Sequence, residues 1–432
     1  MKIPGLRWLM IGLVFLATVI NYVDRQTLAV LKKTICDDLA ISDTQYGLIF
    51  AAFLIAYAIS QTLSGRLYDA IGTRRGFTAS IVVWSLAAMA HAVARGVGSF
   101  TACRVLLGLG EAGNWPGAAK AVGEWFPIRE RALAMGIFNT GAAVGGALSP
   151  PIIAWLALHY GWRPAFVITG LLGFGWLALW LTTYRVPDRH PWLTAQEHDT
   201  ILEGQRPAGA QGETPEVGLG LAELLRHRQT WAIVIARFVT DPIWWLYVGW
   251  LPSYLQEARG MNLKAVGATA WLPYLAGGVG ALFGGYLSGF LIRRGLSVDR
   301  ARKTAMAIGA LLTPAGALAV RAETPMAALS WAAIVLFGFQ VWINNVQTLP
   351  SDFFPKSAIA SVTGLSGTAA ALASAAYVFG TGYLVDSFKA QGLSNPYTPV
   401  FVLAATLGPL GLLLLLALAG RIQPLSLQAP RR

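Results

Sequence analysis

Residues 65–75 read Gly65-Arg66-Leu67-Tyr68-Asp69-Ala70-Ile71-Gly72-Thr73-Arg74-Arg75 and stand directly after an apolar run at 47–64. A weaker copy, Gly285-Tyr286-Leu287-Ser288-Gly289 with Arg293 and Arg294, closes another apolar run 220 residues later. That offset is about half of the 432-residue chain, so the sequence reads as an internal duplication. Outward from these landmarks, apolar runs recur near 8–30, 76–94, 99–121, 132–156, 162–183, 230–253, 267–291, 303–320, 327–348, 358–384 and 396–419. A helix needs about 20 apolar residues to cross a hydrocarbon core. With the run at 47–64 they make twelve, six on each side of a polar stretch. The prediction is an all-α polytopic membrane protein with twelve transmembrane helices in two six-helix bundles around a central cavity, an architecture that places a solute site near the midplane.

Composition points the same way. Hydrophobic residues make up 55% of the chain and charged ones 12%, where a soluble domain carries about a quarter charged. A water-soluble globule and a disordered chain are both excluded. The net charge of +12 is not gathered into the stripe that nucleic acid requires, so no nucleic-acid partner is expected. With the N-terminus inside, the inner segments hold 20 Lys and Arg and the outer loops 7. That bias predicts cytoplasmic termini in a multi-pass protein of the plasma membrane or a bacterial inner membrane, with the lipid bilayer as its solvent. Lys2 and Arg7 before the first run give it the look of a signal peptide, but Asn21, Asp24 and Arg25 at its centre argue for a retained span. Cys36 and Cys103 are not expected to bridge.

The expected organisation is a bundle at 1–184, a cytoplasmic linker at 185–229, a second bundle at 230–420 and a tail at 421–432. Within the linker, Thr194-Ala195-Gln196-Glu197 has the spacing of a capping box and predicts a short surface helix.

Ionised groups inside the spans carry most of the functional signal. An Asp or Arg at mid-bilayer costs at least about 2.5–3.5 kcal/mol, so such groups face a cavity or a partner. Asp24 and Arg25 lie in the first span, Arg104 and Glu111 in the fourth, Arg237 and Asp241 in the seventh, and His91 near the end of the third. Arg104 and Glu111 are seven residues apart and share a helix face. Gly108 between them would open that face to water or to a neighbouring helix. Burial favours a neutral carboxyl group and a nearby guanidinium favours the ionised one. Moving an arginine toward or away from Asp24 or Glu111 therefore switches proton binding, and an anion competing for the arginine links proton uptake to its own binding. Arg237 and Asp241, four apart, could equally form a helix-stabilising pair.

In the other half, Gln340, Asn344 and Gln347 fall on one face of the tenth span with Asn345 beside them. Amides suit the hydroxyls of a polyhydroxylated solute, and Trp244, Trp245 and Tyr57 could present flat faces to a sugar ring. The same amides could instead join helices. Asn139 is a further candidate for the cavity, and Gly141-Ala142-Ala143-Val144-Gly145 has the small-residue spacing of close helix packing.

The stretch at 65–75 resembles the loop motif of the major facilitator superfamily, with Ala70 and Thr73 where basic residues are usual. The resemblance implies a cytoplasmic gate at Asp69, Arg74 and Arg75. Asn21-Tyr22-Val23-Asp24-Arg25, and Arg104 with Leu106-Leu107-Gly108-Leu109-Gly110-Glu111-Ala112-Gly113-Asn114-Trp115-Pro116, look like the anion:cation symporter family. Asp241-Pro242-Ile243-Trp244-Trp245 and Gln347-Thr348-Leu349-Pro350-Ser351-Asp352-Phe353-Phe354-Pro355 are similar to hexuronate transporters within it. What the resemblance implies is proton-driven symport of an organic anion, a hexuronate or related sugar acid. Arg25 would take the substrate carboxylate with Asn21, Tyr22 and Arg104 around it, and Asp24 and Glu111 would carry protons.

Other members carry aldonates, tartrate or aromatic acids, and sodium coupling or exchange is the alternative mechanism. A membrane sensor would need a larger soluble domain than the linker offers. An enzyme would need a nucleophile with its base, and His91, His159, His190, His198 and His227 show no metal-ligand spacing. No cofactor or metal is expected, and the chain is expected to act as a monomer.

Overall fold

The computed structural model describes residues 2–203, 221–354 and 356–425. It is helical, with one isolated bridge between Ile3 and Leu193 among the described residues. The helices are α1 (Leu6–Val30), α2 (Lys32–Leu39), α3 (Asp43–Ile71), α4 (Thr73–Ala90), α5 (Val97–Glu111), α6 (Asn114–Trp125), α7 (Ile128–Tyr160), α8 (Trp162–Thr183) and α9 (Ala195–Glu203). After them come α10 (Leu221–Leu224), α11 (Arg228–Glu257), α12 (Leu263–Thr269), α13 (Trp271–Arg293), α14 (Val298–Leu312) and α15 (Gly316–Ala319). The chain continues through α16 (Pro325–Val346), α17 (Leu349–Phe353), α18 (Lys356–Ala390) and α19 (Thr398–Ala419).

Local chemistry explains many of the boundaries. Ser42 and Gln45 form a reciprocal capping box that starts α3, and Asn262, Ser297 and Thr324 cap α12, α14 and α16. Gly72 and Gly161, with φ of +80° and +87°, are the single-residue connections α3–α4 and α7–α8. A side chain at either would be strained.

Among the described residues, ten helical stretches are long and apolar enough to cross a membrane. The other two apolar runs are spans with a break. The fourth is split between α5 and α6 at Ala112-Gly113, because Pro116 has no N–H to give the Ala112 carbonyl; the Ser64 hydroxyl supplies a bond of 3.3 Å instead. The ninth is split at Thr313–Ala315 around Pro314, and the Thr313 hydroxyl bonds the Ala310 carbonyl at 2.8 Å. A further break separates α16 from α17 ahead of Pro350. The distribution of polarity is inverted relative to a soluble protein. Ile59, Leu282, Leu311 and Leu413 are more than half exposed, while Asp24, Arg25, Arg104 and Glu111 are buried.

Contacts divide the chain into two compact units. The first holds α1–α9 together with Leu251–Trp271, and the second holds α10, α11 up to Trp250 and everything from Leu272 on. In the first unit α1 packs on α7, where an added Cβ at Gly141 or Gly145 would lie 2.9 Å from the Phe15 carbonyl or 2.7 Å from the Val19 carbonyl. The small-residue spacing of α7 thus lets two backbones touch. α7 continues as one helix through Pro150 and Pro151.

The last turns of α11 join this unit through polar contacts. Lys32 pairs with Asp43 and with Glu257, the latter at 2.7 Å, and Gln256 donates to the Val30 carbonyl. Glu197 on α9 keeps one half of its capping box, accepting no bond from the Thr194 backbone; its N–H bonds the Thr194 hydroxyl and its carboxylate caps α1 through the Leu6 and Arg7 amides. In the second unit α14 and α16 pack closely, with Gly309 and Gly338 at the contact.

Candidate transport site

Arg25 is the centre of a buried cluster in the first unit. Its Nε and Nη2 donate to one oxygen of Glu111, Oε2, at 2.9 and 2.8 Å, and Nη2 also donates to Asn21 Oδ1 at 3.1 Å. The guanidinium lies 4.9–5.1 Å from the ring centroids of Tyr22, Phe53 and Tyr57, an aromatic surround that favours a cation. Arg104 reaches the same place from α5, donating through both Nη atoms to the Arg25 carbonyl at 3.3 and 3.4 Å. Its guanidinium lies 5.7 Å from the Phe53 ring.

The local sequence explains the convergence. Asn21 and Arg25 are one turn apart on α1, and Phe53 and Tyr57 one turn apart on α3, so each pair shares a face. An added Cβ at Gly108 would lie 2.6 Å from the Phe53 carbonyl. The missing side chain therefore admits α3 and brings its two rings against the arginine. Of the two openings considered for Gly108, the neighbouring helix is the one observed.

Arg104 and Glu111 share a face of α5, yet Glu111 bonds Arg25 across helices. Several polar atoms of the cluster keep unused capacity. Glu111 Oε1, Asn21 Nδ2 and Arg104 Nε are buried without hydrogen-bond partners. Neither oxygen of Asp24 makes a hydrogen bond of good geometry, although Thr169 on α8 lies close by. Unsatisfied groups of this kind are rare in a purely structural core. His91 is buried, stacked on Phe166 at 4.9 Å, with Nδ1 on the Ala87 carbonyl and Nε2 unpartnered.

The other candidates are distributed as follows. Tyr57 presents its ring to the Arg25 guanidinium. Asn139 is exposed on α7. Asp69 pairs with Lys120 at 2.8 Å, Arg74 bonds the Leu181 carbonyl, and Arg75 is exposed, so the three do not bond one another.

In the second unit, Trp244 and Trp245 are half-buried, and Trp244 stacks on Phe339 at 6.2 Å. Asn344 donates to the Ala281 carbonyl at 2.7 Å, and Asn345 to the Gly284 and Val341 carbonyls while accepting from Arg302. These two amides hold α16 against its neighbours. Gln340 is half-buried and its amide makes no hydrogen bond among the described residues. Arg237 and Asp241 pair at 2.9 Å. Phe53 is the member of the cluster that sequence reasoning missed; its spacing of four from Tyr57 was the available signal. Among the described residues no group of three or more His, Cys, Asp or Glu could hold a metal ion.

Comparison with known proteins agrees with this architecture. The chain is 34% identical to a hexuronate transporter of Escherichia coli (strain K12), over 96% of its own length and 94% of the relative's. It is 36% identical to a galacturonate transporter of Dickeya chrysanthemi, over 72% and 90%. The crystal structure of a bacterial homologue of the human lysosomal transporter Spinster, inward-facing and unoccupied, has the same fold, with a TM-score of 0.74 and 17% identity over 97% of this chain and 96% of that one. The family description "Major Facilitator Superfamily" matches residues 14–378, and the chain belongs to that superfamily of membrane transporters.

Proposed function

We propose that the protein is a proton-coupled symporter that carries a hexuronate or related sugar acid by alternating access, in a bacterial inner membrane and with both termini cytoplasmic. The observation that carries this reading is the Arg25–Glu111 pair. A buried guanidinium forks onto a single carboxylate oxygen, the second oxygen is unpartnered, and the carboxyl group of Asp24 stands next in the chain without a hydrogen bond of its own. A substrate carboxylate offers Arg25 the same fork that Glu111 offers. When it takes that place, Glu111 loses its counter-charge inside a dry environment and binds a proton. Asp24 is the second proton carrier. The substrate's negative charge is then balanced by the arginine, and the occupied cluster has no net cost in charge relative to the empty one.

Tyr22, Phe53 and Tyr57 hold the guanidinium in place while its partner changes. Arg104, bonded to the backbone carbonyl of Arg25, positions that residue. In the second unit, Trp244 and Gln340 retain an aromatic face and an unused amide that suit a hydroxylated ring. Asp69 and Arg74, through their separate contacts, act as a cytoplasmic gate together with the exposed Arg75. The relatives' names, hexuronate and galacturonate transporter, support the choice of substrate class.

The test is transport by purified protein in liposomes under an inward proton gradient, with uronates, aldonates and aromatic acids offered in parallel and sodium varied independently. Uronate accumulation that follows the proton gradient is expected. Accumulation that requires sodium, or selectivity for an aromatic acid, overturns the reading.

A further inference from the structure

The second unit contains a largely buried ionic pair, its side chains 13% and 11% exposed, that the mechanism above does not use. Arg237 Nη2 donates to Asp241 Oδ2 at 2.9 Å, and Nη1 donates to the Ser366 hydroxyl on α18 at 3.3 Å. Gly367 beside Ser366 leaves room for the guanidinium, its missing Cβ being 3.6 Å from Nη1. Asp241 is 8% exposed. Arg237 Nε and Asp241 Oδ1 are both buried and neither has a partner.

As a helix-stabilising device this arrangement is poor. An i,i+4 pair gains little, whereas burying two ions is costly unless their remaining donors and acceptors are matched. Here one donor and one acceptor, on residues one turn apart, are left open. Their chemistry specifies what would fill them. A hydroxyl group donates once and accepts twice, so it can give its proton to Asp241 Oδ1 and accept from Arg237 Nε. A second carboxylate would meet Asp241, and a cation would meet Arg237. The pair as a whole is neutral and therefore favours a neutral polar group. Trp244 follows at i+7 from Arg237, on the same face of α11, and places an indole where the C–H side of a sugar ring could lie.

We propose that Arg237 and Asp241, with Trp244, form a hydroxyl-recognising subsite in the second unit, which selects polyhydroxylated acids over simple carboxylates. The proposal rests on the sugar-acid reading above and deepens it.

The experiment compares the affinity of the purified full-length protein for D-galacturonate and for tetrahydropyran-2-carboxylate, a ring acid without hydroxyls. Asp241→Asn and Arg237→Gln are each expected to weaken galacturonate binding at least tenfold and to leave the hydroxyl-free acid within twofold, because a site built around a hydroxyl loses most when its partner is removed. Equal weakening of both ligands, or no change in either, overturns the subsite. The double exchange Arg237→Asp with Asp241→Arg guards against misfolding, since it restores the pair in reverse. Weak galacturonate binding in that variant, with the hydroxyl-free acid bound as in the wild type, supports recognition; full recovery of galacturonate binding marks the pair as structural and overturns it. A wild-type protein that binds no sugar acid defeats the sugar-acid reading and the subsite together. Wild-type galacturonate binding that the variants leave untouched defeats the subsite alone.

Discussion

The arginine–carboxylate pairs Arg25–Glu111 and Arg237–Asp241 differ in the chain distance they bridge. Arg25 and Glu111 belong to α1 and α5, 86 residues apart, and the guanidinium is further enclosed by an amide and three rings. Arg237 and Asp241 sit four apart on α11. A pair across helices changes when the helices move or when a ligand replaces one partner. A pair within one turn keeps its geometry through any rigid displacement of that helix. In the proposed mechanism coupling falls to the first pair and recognition to the second, and each part of that proposal can be broken separately.

The largest effect is expected at Arg25. Arg25→Lys replaces a fork by a point charge, and substrate affinity measured by calorimetry should fall at least about tenfold, equivalent to about 1.4 kcal/mol. Unchanged affinity would remove Arg25 from the site.

Packing around the two regions gives a second contrast. Gly108→Val drives a side chain into the Phe53 carbonyl and should cost about 1–3 kcal/mol of stability, read from thermal unfolding in detergent. At Gly285 the closest atom to an added Cβ is the Asn344 amide nitrogen at 3.3 Å, and Ala also gains up to about 1 kcal/mol of helix propensity over Gly. The Asn344 nitrogen, held on the Ala281 carbonyl, must give by a few tenths of an ångström, so Gly285→Ala should stay within about 1 kcal/mol of the wild type. Equal losses at the two positions would mean that the first cluster is no more tightly built than the second unit.

The amides of α16 separate recognition from helix packing. Asn345→Ala removes bonds to the Gly284 and Val341 carbonyls and should lower stability by about 0.6–1.7 kcal/mol with little change in affinity. Gln340→Ala should do the reverse, weakening galacturonate binding a few-fold at unchanged stability. Stability and affinity falling together in both variants would erase the distinction.

A further contrast, in chemical reactivity and not in substrate affinity, lies outside the spans. Burial pushes the Cys36 thiol up to about 12, against the opposing influence of Lys32. Below that value the thiolate, which is the reactive form, is scarce. Maleimide labelling of Cys36 at pH 8 should be at least about a hundredfold slower than that of a free thiol, whose ordinary value is about 8.5, and should rise with pH. Labelling at the free-thiol rate would mean that the Lys32, Asp43 and Glu257 cluster around it is open.

Much of this fold was legible in the sequence because lipid imposes a simple rule on span length and composition. The apolar runs, the ionised residues inside them and the close approach at Gly141 and Gly145 all follow from local spacing. Partner choice was less accessible. Arg104 and Glu111 share a face on α5, but that spacing did not show that Gly108 admits α3 or that Glu111 bonds Arg25 on α1. The contact of the Tyr57 ring with the Arg25 guanidinium, at 5.0 Å, was likewise not visible in the spacing. Glu197, expected to complete its own capping box, caps a helix 190 residues away in sequence. In each case the deciding factor is which helices lie side by side, and a periodicity of 3.6 residues carries no record of that. The broken fourth span was legible in part, since Pro116 was visible and its consequence for the Ala112 carbonyl follows from its missing N–H.

The central claim is that Glu111 exchanges its bond to Arg25 for a proton when substrate binds. The most direct measurement sets substrate counterflow beside pH-gradient-driven accumulation for Glu111→Gln in liposomes. A glutamine still offers Arg25 an oxygen but cannot carry a proton, so counterflow should persist while accumulation is lost. Accumulation at the wild-type level, or equal loss of both activities, would contradict that exchange.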